Sequence, residues 1–362
     1  MSSRADELID QFLLFLRQSN TTFKPFPLLS LPPEIINRSL QQFNCVDLID
    51  FALCSKRCKK TVQKMNHGVK SIELSIIESN SSIILKSQNG ILGFVDFESS
   101  IPDGIIRSRY INSKEVFVCK TDLFYYCRDL KWIPIKLMYR FLSEIFAAPI
   151  HVLFNPVQYS NFQWFFNEIR GEQFESLIIS GPNPIPPPIL TCLMNDVKAN
   201  GSFVLNVRHN GVFYPPELPS FFDVDYLEML DTAEWMTKDI FLSLYCRRMR
   251  ISFCHLKNRD FEQFVTQWYF SNNTRLQYVE VWFKVTPGLM NFKHFQLHRW
   301  DPYRRAQFYN STPHLVLNCS TGFDIIRKDG TVATILIFSG SFHFIVWKDR
   351  FPPYGGSILN LV

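Results

Sequence analysis

"NCVDLIDFALCSKRC", Asn44 to Cys58, decides how the first part of this chain folds. Between Val46 and Leu53 only Asp47 and Asp50 are polar. A helix here therefore carries apolar groups around nearly its whole circumference. A surface helix needs one apolar stripe, and a helix apolar all round has to be covered on more than one side. Asn44 is placed to cap it, with Asp47 three residues on in a capping-box-like position that the helix dipole favours. Lys56, Arg57, Lys59 and Lys60 collect toward what reads as a helix end, where cations are favoured.

Upstream, "LLSLPPEIINRSLQQF" from Leu28 supplies a partner helix. Pro32 and Pro33 suit a first helical turn, and Ile36, Leu40 and Phe43 follow at spacings of four and three, one stripe of a helix. Folding units of about forty residues usually need metal, disulfides or association to be stable. Cys54 and Cys58 with His67 lack a convincing fourth zinc ligand, so no metal is expected. Association remains, with the rest of this chain or with another protein.

The whole chain of 362 residues is 46% hydrophobic and 20% charged, which excludes a disordered polymer and allows one large or two to three ordinary domains. Its 35 phenylalanines imply a ring-rich core. The net charge of +5 is spread along the chain and forms no nucleic-acid stripe. No apolar run reaches the length of a membrane span, and "ADELIDQFLLFLRQ" lacks a signal-peptide cleavage site. The expected setting is cytoplasmic or nuclear, with the nine cysteines reduced. Glu7 to Leu16 reads as an amphipathic helix that packs on the helices after it.

The expected fold class is α+β or α/β: an N-terminal helical module, a β-rich segment, then an irregular repeat closed by hairpins. "SIELSII", "SIILKS", "ILGFVDF" and "KEVFVCK" between residues 71 and 128 read as strands of a small antiparallel unit. Beyond them, apolar runs begin at His151, Leu177, Phe203, Leu227, Arg250 and Tyr278, at intervals of 26, 26, 24, 23 and 28 residues. Two helical patterns lie between. One is capped by Thr237 and offers Ile240, Phe241 and Leu244; the other is capped by Asn258 and offers Phe261, Phe264, Val265 and Trp268. A strand and a helix in about 25 residues fit a leucine-rich-repeat-like arc, without the strict consensus. A single βαβ sheet has the same elements. Asp329-Gly330 marks a tight turn in the last part.

No glycine-rich phosphate loop, nucleophile elbow, zinc helix or paired CxxC is present, so no catalytic residue and no cofactor is expected. Cys254 and His255 are neighbours on a strand and point to opposite faces, so they cannot act together. Arg247, Arg248 and Arg250 form the best basic cluster, a candidate patch for acidic or phosphorylated substrates. Trp235, Trp268, Trp282 and Trp300 are expected in the core.

The segment from Leu28 resembles an F-box. Leu31, Pro32, Glu34, Ile35, Ile36, Leu40, Phe43, Asp47, Leu48, Phe51, Leu53, Ser55, Lys56 and Val62 follow that family's pattern in order and spacing. Ser39 and Cys58 depart from it, standing where an aliphatic residue and a tryptophan are usual. The resemblance implies a substrate receptor of an SCF-type ubiquitin ligase, not itself an enzyme, docked on a Skp-type adaptor and through it on a cullin. The implied adaptor contacts are Leu31, Pro32, Ile35, Ile36, Leu40, Phe43, Leu48, Phe51 and Leu53. One side of the opening helix would then face its own chain and the other the adaptor. Leu227–Trp268 and Phe323–Ile335 resemble the type 2 F-box associated domain, which is taken to recruit protein substrates. The expected organisation is an N-terminal extension (1–24), the F-box (25–68), a β-rich segment (69–145), the repeat-like domain (146–285) and a hairpin cap (286–362).

Overall fold

In the computed structural model, Pro33 opens α1 (Pro33–Leu40), and Asn44 caps α2 (Cys45–Cys54) by accepting the Asp47 amide N–H at 2.8 Å. The basic run does not end α2. Ser55 breaks the helix in extended backbone and caps α3 (Lys56–Lys64), accepting the Cys58 N–H at 3.1 Å. Lys56, Arg57, Lys59 and Lys60 thus fall at the start of a helix, the end that disfavours cations. Two of them are held by other means: Arg57 donates to the Leu29 carbonyl at 2.6 Å, and Lys59 pairs with Glu144. The described residues are 28–77, 81–98, 106–128, 133–155, 172–196, 198–209, 223–231, 233–284, 290–312 and 315–352. The helix expected over Glu7–Leu16 lies outside them.

The chain divides into two compact units, Met1–Val152 and Leu153–Val362. In the first, three helices are followed by β1 (Ser71–Ile77), β2 (Ser81–Ser87), β3 (Gly90–Glu98), β4 (Arg107–Ile111), β5 (Lys114–Lys120) and β6 (Phe124–Arg128). Then come α4 (Ile133–Phe146) and β7 (Ile150–Asn155), in which the division between the units falls. The strand order is β7-β1-β2-β3-β6-β5-β4. All four strand segments expected between residues 71 and 128 form. The sheet is not wholly antiparallel, because β3 and β6 run parallel, with Phe94 opposite Phe124. This sheet covers α2. Gly93 on β3 leaves room there: a Cβ at Gly93 would lie 3.4 Å from Val46 and 3.6 Å from Cys45. Arg109 on β4 reaches Asp50 at 2.7 Å. Between this sheet and the neighbouring helix α3, Cys45, Val46, Leu48, Ile49 and Ala52 are buried.

The second unit places every one of the expected runs from Leu177 to Tyr278 in a strand: β8 (Gln173–Ser180), β9 (Lys198–Asn206), β10 (Tyr226–Met229), β11 (Arg248–Cys254) and β12 (Tyr278–Phe283). These strands are parallel and lie side by side in sequence order, with no reversal. After β8 comes α5 (Pro187–Asp196), which takes up the end of the proline-rich connector. After β10 comes α6 (Lys238–Ser243), capped as expected by Thr237, which accepts the Ile240 N–H at 3.3 Å. After β11 comes α7 (Asn258–Phe270). Asn258 does not cap it. The cap position is Lys257, whose amide donates to Asp260 at 2.7 Å, because a carboxylate in the first turn binds an exposed N–H more strongly than a neutral amide.

The last part contains β13 (His298–Arg299), β14 (Phe308–Thr312), β15 (Leu315–Asn318), β16 (Phe323–Ile326), β17 (Val332–Ile337) and β18 (Ser341–Trp347). β18 pairs antiparallel with β12, and β17, β16 and β13 follow outward in the same sheet, while β14 and β15 form a separate ribbon. Gly330, at φ +83°, makes the turn between β16 and β17. One sheet face is apolar. There Phe261, Phe264 and Trp268 of α7 meet Phe342 and Phe344 of β18, with ring centroids 4.8–5.5 Å apart.

Candidate functional site

In the first unit the nine apolar F-box positions separate into two groups. Ile36, Leu40 and Leu48 are buried, Leu48 to 2% exposure. Leu31, Ile35, Phe43, Phe51 and Leu53 are half-buried and Pro32 is exposed. Phe43 and Phe51 meet edge to face at 6.3 Å. The second group is the part of this module that a partner can touch. Ser39 and Cys58, the two departures from the pattern, are both buried, so each sits in the core of the module.

In the second unit the sheet face opposite α7 carries a row of charges. Glu228, Arg250, Glu280 and His343 are cross-strand partners on β10, β11, β12 and β18. Opposite charges placed directly across a ladder attract. Arg250 donates through Nε to Glu280 and through a terminal nitrogen to Glu228, each at 2.9 Å. Glu280 has 1% of its side chain exposed, so its charge is stripped of water and depends on its donors. These include Tyr278 at 3.1 Å and the Trp282 indole at 2.6 Å. Glu228 also accepts from Asn206 at 2.8 Å and from Tyr226.

Burial works against the Arg250 charge, but the Glu280 carboxylate and the Tyr226 side chain more than offset this and hold its proton more tightly than usual. Tyr226 and Tyr278 are shifted upward by burial and then by their glutamates, so both remain protonated donors. His343 bridges Tyr278 at 3.0 Å and Ser341 at 2.9 Å. Burial lowers its proton affinity, against the pull of Glu280.

Of the three arginines expected to act together, Arg248 and Arg250 lie on one face of β11 and Arg247 just before the strand. Arg250 is consumed by the row, and Arg248 lies one row down on the same face, between Tyr226 and Tyr278. Arg247 precedes β11, its carbonyl accepting the Gln277 N–H at 2.8 Å. Trp235 and Trp268 are in the core, but Trp282 is 45% exposed. Cys254 is buried, with its thiol pushed up to about 11 by that burial, while His255 is exposed. Glu228, Glu280 and His343 escaped sequence reading. Their one signal is a polar residue interrupting otherwise apolar strands, in "YLEM", "YVEVW" and "SFHFIV". Among the described residues no cluster of His, Cys, Asp and Glu could hold a metal ion, and no helix is long and apolar enough to cross a membrane.

The first unit sets three helices beside a sheet, and the second carries a mixed sheet with a row of charges on one face. Comparison with known families specifies both. Residues 28–70 match the F-box domain, and residues 217–281 match the F-box associated family FBA_2. The chain carries an F-box domain and, in its C-terminal part, an F-box associated domain. Among curated proteins it is similar to the uncharacterized protein F59B2.9 of Caenorhabditis elegans, 22% identical over 348 residues, or 90% of this chain and 80% of the relative. It is also similar to the uncharacterized protein F59B2.8 of the same organism, 24% identical over 352 residues, or 91% of this chain and 79% of the relative. No solved structure matches.

Proposed function

We propose that this protein is the substrate receptor of an SCF-type ubiquitin ligase, docking through its F-box on a Skp-type adaptor and through that on a cullin. The observation that carries the reading is the F-box match over 28–70 combined with a set of its apolar positions left open to a partner. Leu31, Pro32, Ile35, Phe43, Phe51 and Leu53 make the direct contacts. Ile36, Leu40 and Leu48 hold the module in shape from beneath. The chain divides into segments 1–24, 25–68 (the F-box), 69–145, 146–285 and 286–362, and the strand series from β8 to β12 makes an irregular leucine-rich-repeat-like arc that holds a protein target. The protein supplies no nucleophile or base. It raises the effective concentration of target lysines near a charged conjugating enzyme elsewhere in the complex. Its setting is cytoplasmic or nuclear.

Burial of α2 under β3 and β4 favours a second reading, in which the F-box helices serve the chain's own fold and the protein is an interaction module outside ubiquitination. Co-purification with the adaptor separates the two. The wild-type chain retains the adaptor, and Phe51→Asp, which puts a charge into the half-open surface, loses it with an unchanged melting curve. Absence of the adaptor from the wild-type complex, or its undiminished presence with Phe51→Asp, overturns the receptor reading.

A further inference from the structure

Three large rings stand in solvent beside the charged row of the second unit. Phe253 is 49% exposed, Trp282 45% and Phe338 43%, although rings of this size are what a core takes first. Phe253 is also backbone-strained. The β11–β12 register shifts between Ser252 and Cys254, and Phe253 sits at that irregularity with φ +57°. A left-handed non-glycine residue costs on the order of 1 kcal/mol, and a bulge re-aims the side chain it releases. Here it releases an aromatic ring one residue past Ser252, the cross-strand partner of Trp282.

The other two rings are anchored to the row itself. The Trp282 indole N–H donates to Glu280 at 2.6 Å, and the ring lies against the β17–β18 turn, where a Cβ on Gly340 would be 3.9 Å away. Phe338, in that turn, meets His343 edge to face at 5.3 Å. Beneath them, two carboxylates, Glu228 and Glu280, share one guanidinium. Burial keeps His343 from adding a balancing charge. Arg248, also on this face, is four residues down the ladder from Ser252, about 13 Å at roughly 3.3 Å per residue. Lys284, two residues past Trp282, is paired with Glu234. The end of the row that carries the rings therefore has surplus negative charge.

We propose that Trp282, Phe338 and Phe253 form the rim of a site for a cationic side chain, a lysine or arginine of the bound target. The inference rests on reading the second unit as the part that holds a target. Aromatic faces attract cations, tryptophan most strongly, and the Glu280 carboxylate behind the indole N–H adds to that attraction. Acidic and phosphorylated segments are disfavoured at this end of the sheet, because Arg250 is already neutralised.

The test uses the full chain and two probes, N-acetyl-arginine methylamide and its uncharged isostere N-acetyl-citrulline methylamide, followed by tryptophan fluorescence. The arginine probe gives a saturable change and binds about tenfold more tightly than the citrulline probe, as a cation–π contact of ordinary strength requires. Trp282→Ala and Phe338→Ala each weaken it by a similar factor and leave the circular dichroism spectrum unchanged. If Trp282→Ala fails to fold, Phe338→Ala, which removes no hydrogen bond, decides. Equal binding of both probes, or no saturable change, overturns the proposal. A chain that captures the adaptor but ignores the arginine probe refutes this inference alone. One that binds the probe but never the adaptor refutes the receptor reading alone.

Discussion

Replacing Arg250 with methionine tests whether the charged row is a structural keystone. The substitution keeps the length of the aliphatic stem and removes the guanidinium that reaches Glu228 and Glu280 at 2.9 Å. Glu280 is then a carboxylate with 1% of its side chain exposed and no cation beside it. Breaking a buried pair by deleting one partner costs about 3–5 kcal/mol. Arg250 is 23% exposed, so some water reaches the vacated place and the lower figure of about 3 kcal/mol applies. With a urea slope of about 1–3 kcal/mol per molar, the unfolding midpoint of the second unit falls by about 1–3 M.

A second change, Glu280→Gln, removes the orphaned charge and keeps one acceptor, for the Trp282 indole N–H, while its amide nitrogen can donate to the Tyr278 hydroxyl oxygen. In the Arg250→Met background it restores about 1–3 kcal/mol, the coupling expected for contacting residues. Urea unfolding of the full chain, followed by tryptophan emission, measures both. A midpoint that barely moves with Arg250→Met, or a second substitution that lowers it further, refutes the argument.

Two other outcomes follow from burial. His343 has its proton affinity lowered by burial. A histidine with a depressed folded-state value stabilises the fold fully above its ordinary value of about 6.5, and this stability drains away as pH falls below it. Melting temperatures between pH 8 and pH 5 therefore decline in the wild type, and His343→Gln removes part of that decline; an identical slope in both sinks the assignment. In the first unit, Leu48→Ala costs about 2–5 kcal/mol, as a fully enclosed leucine does, and adaptor capture falls only in proportion to the unfolded fraction. Capture lost while urea titration shows the fold intact would mean Leu48 is a contact residue after all.

Period and capping chemistry made much of the second unit legible in the sequence. Thr237 and the faces of α6 and α7 were readable because a cap and a 3.6-residue stripe are local properties. The strand series was readable because its apolar runs recur at near-constant spacing. What could not be read is what depends on neighbours across the sheet. Glu228, Arg250 and Glu280 are 22 and 30 residues apart, and nothing local says that they share a row. The parallel pairing of β3 with β6 is hidden for the same reason. Among the F-box positions, spacing identified the apolar set but not which members the β-sheet of the same unit would enclose. Leu48 and Phe51 are both apolar residues of α2, yet Leu48 is enclosed and Phe51 is half-buried.

The strand from Ser341 to Trp347 is enclosed at all seven positions and supplies the rings that cover α7. During synthesis, Phe261, Phe264 and Trp268 emerge 73 or more residues before that strand is even begun. At about 5–20 residues per second, those rings wait uncovered for roughly 4–16 s. The F-box end has by then left the ribosome with its own sheet and can fold. A message cut short ahead of codon 341 would therefore yield an F-box end fused to an adhesive half-sheet, a client for chaperones and proteases.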